Sequence, residues 1–295
     1  MPLQQYACRH CGHWQPWFAG QDPVACPVCT DVRNALPPDG WDWVTTEKAD
    51  AELETQWREL VPGKLWGFSC TPKFGLGATG WLLLHDRGNV AFEAAPRYSA
   101  AALEKIRELG GVRILSTSHP HGYGGLWQLQ DEFAPDLPLQ KEDLKYSKAF
   151  KVSRPYDDRL DLYPDLTLRH TGGHYEGHSV LYWDEIAAVF CGDALKIDFT
   201  GDGTPDGPPD DGSTRTGTPR AISCHKGFHY QIPLSPEELR KYRDVFAELP
   251  FTTALTPFEY APGVTREHAV SLYELLLEGH PHTTPVPISY LEDCY

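Results

Sequence analysis

The chain has 295 residues, 41% hydrophobic and 12% aromatic, which is enough to bury a sizeable core and excludes disorder as its main state. A formal net charge of −15, with no cluster of Lys or Arg, argues against nucleic acid and against an anionic membrane surface as partners. No run of about 18 apolar residues occurs and the N-terminal residues carry no apolar signal-peptide core, so a cytoplasmic protein is expected.

Four of the eight cysteines fall within the first 29 residues as two C-x-x-C pairs, Cys8/Cys11 and Cys26/Cys29, with 14 residues between the pairs. This spacing reads as a metal site and not as a disulfide framework. Each turn lets two thiolates converge on one ion, and two turns complete a tetrahedral four-sulfur shell. A segment of about 40 residues cannot hold itself together by burial alone, so metal binding there is folding energy. Tyr6-Ala7-Cys8-Arg9-His10-Cys11-Gly12 and Cys26-Pro27-Val28-Cys29 resemble a zinc ribbon or the rubredoxin knuckle. The resemblance implies zinc, with iron as the alternative, because four thiolates suit both. His10 and His13, beside these ligands, are expected at the surface.

Residues 41–62 read as a linker with a charged helix from about Glu47 to Leu60, ended by Pro62-Gly63. Ala78–His85 and Val90–Glu93 read as a hairpin around Asp86-Arg87-Gly88-Asn89. Ser99–Leu109 has helical spacing and Val112–Ser116 is a short buried strand. Strands are expected at Leu166–Thr171, Ser179–Trp183, Ala187–Cys191 and Thr253–Thr256, and helices at Pro236–Leu249 and Thr265–Leu277. Thr200–Arg220, with Asp202, Asp206, Asp210 and Asp211, reads as a lid-like loop. The His280-Pro281-His282 segment is expected at the surface and Cys294-Tyr295 as a mobile end. The expected division is a knuckle over 1–40, a linker and helix over 41–62, and one large domain over 63–295.

Three segments in the large domain carry chemistry, each just after an expected strand. They are Ser118-His119-Pro120-His121-Gly122-Tyr123-Gly124-Gly125, then His170-Thr171-Gly172-Gly173-His174-Tyr175-Glu176-Gly177-His178, then Cys191-Gly192-Asp193. Taken singly, each is compatible with an ordinary turn. In this order they resemble the metallo-β-lactamase superfamily, whose pattern is roughly T-H-x-H-x-D-H-x-G-G, P-G-H-T-x-G and G-D.

The resemblance implies an α/β fold, the αββα sandwich, with His119, His121 and His174 holding a first metal, zinc or iron, and Asp193 within reach of it. A second metal would need the Asp and His of the first motif, which are Tyr123 and Gly124 here, and a late histidine. The matching late stretch has Glu259 instead, and the family's early aspartate appears as Glu93. A phenol and a glycine do not replace a carboxylate and an imidazole as ligands, so the second site is degraded. His225 and His229 have the ligand chemistry to rebuild it, whereas His178 reads as a supporting residue. Cys191 reads as buried and inert. The expected function is a mononuclear metal-dependent hydrolase acting on a small molecule, with Asp193, Glu93 or Glu259 handling the proton. Tyr123 either donates to an oxyanion or plugs the vacant site. The alternatives are a non-catalytic protein that binds a protein partner or a second copy, and an iron-dependent redox protein.

Overall fold

The computed structural model describes residues 1–30, 39–200, 209–225 and 232–292. Asp202, Asp206, His229 and Cys294 lie outside the described residues. The chain divides into two compact units, 1–155 with 207–214, and 156–206 with 215–295.

The first unit begins with a three-stranded antiparallel sheet in which β1 (Leu3–Cys8) lies between β2 (Trp14–Phe18) and β3 (Trp43–Thr45). The knuckle's sheet is therefore closed by a strand beyond residue 40. Ala7 and Trp14 share one buried cluster with Val44, Ala49, Leu53 and Phe74. Burial that the knuckle cannot find internally is thus supplied by residues up to Phe74.

Thr45 caps helix α1 (Thr46–Glu52) by accepting from the Lys48 N–H. This helix is shorter than the Glu47–Leu60 helix expected from sequence. Leu53 turns to extended backbone, and Glu54–Val61 is a strand, β4, paired antiparallel with β5 (Leu65–Thr71). Pairing with β5 overrides the helical preference of the charged residues. β4 is the edge of a five-stranded sheet completed by β6 (Gly80–Leu83), β7 (Val90–Phe92) and β8 (Ile114–Ser116), in that order. The β6–β7 hairpin and the helix α2 (Ala100–Glu108), capped by Ser99, follow the sequence pattern. β7 and β8 run parallel, so both deliver the chain to the same sheet edge. Helix α3 (Leu126–Phe133), β9 (Pro138–Gln140) and β10 (Arg154–Tyr156) come next.

The second unit holds a seven-stranded sheet. Its order is β11 (Arg159–Tyr163), β12 (Leu166–His170), β13 (Ser179–Trp183), β14 (Ala188–Phe190), β18 (Thr253–Leu255), β19 (Glu259–Pro262) and β16 (Arg215–Thr216). A small sheet joins β15 (Lys196–Asp198), β17 (Ala221–Ser223) and β20 (Val286–Pro287). Helices α4 (Pro236–Ala247) and α5 (Arg266–Leu277) pack on a shared core that includes Val189, Tyr242, Phe246 and Tyr273. Each begins with a reciprocal capping box, Ser235 with Glu238 and Thr265 with His268. His282 is buried, contrary to the surface position expected for it: its ring accepts from the Leu234 N–H and its carbonyl from the Cys224 N–H. No described helix is long and apolar enough to cross a membrane.

Two predictions arise here. A Cβ on Gly75, whose φ is +58°, would lie 2.5 Å from the Gly12 nitrogen. Gly75→Ala is expected to cost about 2 kcal/mol or more in urea denaturation, through strain and a wedge between knuckle and sheet. Burial holds the His268 imidazole below its usual range while Nδ1 accepts from the Thr265 N–H. The unfolded chain therefore binds the extra proton, and stability falls as pH drops below about 6.5. His268→Gln, which keeps an acceptor, is expected to flatten that part of the denaturation profile.

Candidate metal centres

The four cysteines come together as the sequence implies. Cys8 lies in β1 and Cys11 in the turn that follows, closed by hydrogen bonds from Gly12 N–H to Cys8 O and from Cys8 N–H to His13 O. Cys26 begins a turn in which Thr30 N–H and its hydroxyl donate back to the Cys26 carbonyl. Sγ–Sγ distances are 3.9 Å for Cys8–Cys29 and 3.6 Å for Cys11–Cys26. A tetrahedral ion with metal–sulfur bonds of about 2.3 Å separates its sulfurs by about 3.8 Å, so the cage fits one such ion. All four side chains are buried. Hydrogen bonds to Cys26, Cys29 and Cys8, together with burial, push the Cys11 thiol well above its usual range. Four thiolates cannot ionise together at this distance without a cation between them.

His10 is exposed, as expected, but His13 is not: only 2% of it is exposed. Burial pushes its imidazole down to about 4, so it is neutral at neutral pH. Neither ring nitrogen finds a hydrogen-bond partner among the described residues. Its ring lies 6.1 Å from that of Tyr123.

His119 and His121 follow β8 in a short 3-10 turn, Pro120–Gly122, and are both buried, with ring centroids 5.1 Å apart. The turn is held by Glu93, at the end of β7, which adopts a left-handed backbone (φ 60°) and is 1% exposed. Its carboxylate accepts from the hydroxyls of Thr117 and Ser118 and from the Ser118 N–H. Because the Ser118 hydroxyl donates to Glu93, its oxygen, 2.6 Å from His119 Nδ1, accepts from that nitrogen. The relay fixes the tautomer of His119 with the proton on Nδ1, and leaves Nε2 with the lone pair a metal needs.

Tyr123 is also buried. Its hydroxyl donates to the Asp143 carbonyl (3.1 Å) and its ring packs edge-on against Phe150 at 5.1 Å.

In the second unit, His174 stands on a double-glycine turn. Gly172 and Gly173 have positive φ, and a Cβ on Gly173 would lie 2.8 Å from the Tyr242 hydroxyl oxygen. That hydroxyl accepts from the His174 N–H at 3.0 Å, so α4 holds the turn in place. His174 Nε2 lies 3.1 Å from Asp193 Oδ2, both side chains being buried. His178 lies beside this pair. Its Nε2 accepts from the Asp193 N–H (3.2 Å), and its Nδ1 is 2.6 Å from the Thr171 hydroxyl. The His225 ring lies 5.7 Å from that of His174. Glu259 accepts from the Thr256 hydroxyl and faces Arg215 at 3.9 Å. Cys191 is fully buried, and burial raises its thiol well above the usual range.

The supporting residues Ser118, Thr171 and Tyr242 did not announce themselves. Ser118 and Thr171 stand in the motifs, and a hydroxyl beside a motif histidine is a usable signal. Tyr242 lies 68 residues from His174 on a helix and carries no such mark.

No family model matches the chain. A Bacillus subtilis (strain 168) protein described as "Uncharacterized protein YmaE" is 28% identical over 195 residues, spanning 62% of this chain and 68% of that protein. Among solved structures, DIM-1 metallo-beta-lactamase has a TM-score of 0.51 at 10% identity, covering 76% of this chain and all of that one (100%). A metallo-beta-lactamase from Pontibacter korlensis scores 0.50 at 13% identity, covering 75% and 99%. Rubredoxin oxygen:oxidoreductase from Desulfovibrio gigas scores 0.50 at 14% identity, covering 76% of this chain and 62% of that one. The chain is a mixed α/β protein with the metallo-β-lactamase fold and a four-cysteine group near its N-terminus.

Dialysis of the full chain against a strong chelator is expected to remove the ion tying the four sulfurs and cost about 3 kcal/mol or more, restored by one equivalent of zinc. The urea midpoint reads both steps, and an unchanged midpoint would show that the cage folds without an ion.

Proposed function

We propose that this chain is a metal-dependent hydrolase with one working metal ion, held by His119, His121 and His174 with Asp193 within reach, and a structural zinc in the four-cysteine knuckle. The observation that carries the reading is the relay from Glu93 through Ser118 to His119, which presents a lone pair at Nε2 from a buried loop. Three neutral imidazoles and one carboxylate suit zinc or iron. When bound, such an ion lowers the pKa of a coordinated water towards roughly 7 and polarises an ester, amide, thioester or phosphoester.

This chain's own residues divide the remaining work. Glu93 is committed to Thr117 and Ser118, and Glu259 to Thr256 and Arg215, so both position neighbours and neither moves the proton. Asp193, beside His174, is the carboxylate assigned to that step. Tyr123, with its hydroxyl on the Asp143 carbonyl and its ring among buried neighbours, fills space in place of a second set of ligands. The substrate is a small molecule, and the protein works in the cytoplasm.

Elemental analysis of the full chain tests this, with two equivalents of metal expected. Ser118→Ala should weaken the histidine-held ion by roughly 10–100-fold, and His119→Ala and His174→Ala by more. Metal at the cysteines alone would overturn the reading. Iron at the histidines, with a visible absorbance that changes on reduction, would favour the redox alternative.

A further inference from the structure

The knuckle and the histidine loop both lean on residues 93–98. On one side, the Trp14 indole N–H donates to the Pro96 carbonyl at 2.8 Å, with the Trp14 ring 5.5 Å from Trp127. On the other, the Ala94 N–H donates to Gly122 O (2.9 Å) and the Gly125 N–H to Ala95 O (2.8 Å). Both partners belong to the loop that contains His119 and His121. A Cβ on Gly124 would lie 2.6 Å from the Ala95 carbonyl oxygen, so this face has no slack. A second route runs through His13, which closes the Cys8–Cys11 turn with its carbonyl and sets its ring against Tyr123, two residues after His121.

The His13 ring is buried and neither nitrogen is partnered among the described residues. A ring placed this way works by shape. An apolar ring in its place removes two unsatisfied polar atoms and keeps the contact.

We propose that the four-cysteine knuckle is the buttress of the His119–His121 loop, so that an ion in the knuckle raises the affinity of the histidines for theirs, with His13 and Trp14 carrying the coupling. The inference rests on the metal reading above. Coupling of this kind is reciprocal: whatever factor the knuckle ion contributes to the histidine site, the histidine-site ion returns to the knuckle.

The test is cobalt titration of the metal-free full chain. Thiolate-bound cobalt shows an intense near-ultraviolet charge-transfer band, and cobalt on histidine and carboxylate only weaker visible bands, so the sites are read separately. Wild type is expected to take two equivalents. Cys26→Ser should lose the thiolate band and bind the second ion roughly 10-fold or more weakly. His13→Ala should keep the thiolate band and weaken the histidine site by a comparable factor, while His13→Phe should restore wild-type affinity. Should Cys26→Ser fail to fold, His119→Ala supplies the reciprocal measurement: knuckle affinity falls by the same factor.

Unchanged histidine-site affinity in His13→Ala, or unchanged knuckle affinity in His119→Ala, overturns the coupling and leaves the metal reading standing. His13→Phe as weak as His13→Ala overturns the role of ring shape. Wild type that binds cobalt through thiolates alone overturns the metal reading, and the coupling with it.

Discussion

A buried carboxylate must be surrounded by donors, and Glu93 meets that demand with the loop that bears His119. Its left-handed backbone turns the side chain back over β8, where Thr117 and Ser118 supply hydroxyls and Ser118 an N–H. Much else follows from that placement. Gly122 has no side chain because a Cβ there would fall on a Glu93 oxygen. Ser118 has its proton directed to Glu93 and so accepts from His119. The segment after Glu93 then serves two clients, the histidine loop through Ala94 and Ala95 and the knuckle through Pro96.

The candidate metal residues are legible because each motif combines side chains of metal-binding type with glycines, directly after a strand. Cys8, Cys11, Cys26 and Cys29 need only their spacing, and His178 stands out by its place four residues after His174. What could not be read was how neighbours distant in sequence treat a polar residue. His13 looked like a surface histidine because polarity beside a metal turn is ordinarily solvated. Tyr123, which helps cover it, comes 110 residues later. Tyr242 was invisible for the same reason. Its hydroxyl meets the His174 N–H only because α4 packs beside the double-glycine turn.

Secondary structure was legible where local pattern and tertiary demand agree, as in the β6–β7 hairpin and in α2, α4 and α5. It failed over residues 54–60. There the charges suggested a helix, and seven paired positions along β5 impose a strand. At residue 40 a turn signal marks the expected edge of the knuckle. β3 extends the knuckle's sheet past that point, and Trp14 shares its core with Phe74. The knuckle is thus part of the first unit's packing.

β4 has consequences for the protein in concentrated solution. It is an eight-residue strand at the end of its sheet, and unpaired strand edges invite pairing with other chains. This one carries Glu54, Arg58 and Glu59 exposed along its length, with a break in register between Glu59 and Val61. Charges that would have to be desolvated, and a kink that bends the ladder, both oppose growth of the sheet into a neighbour. The exposed Trp57 lies on the same strand, between these charged residues.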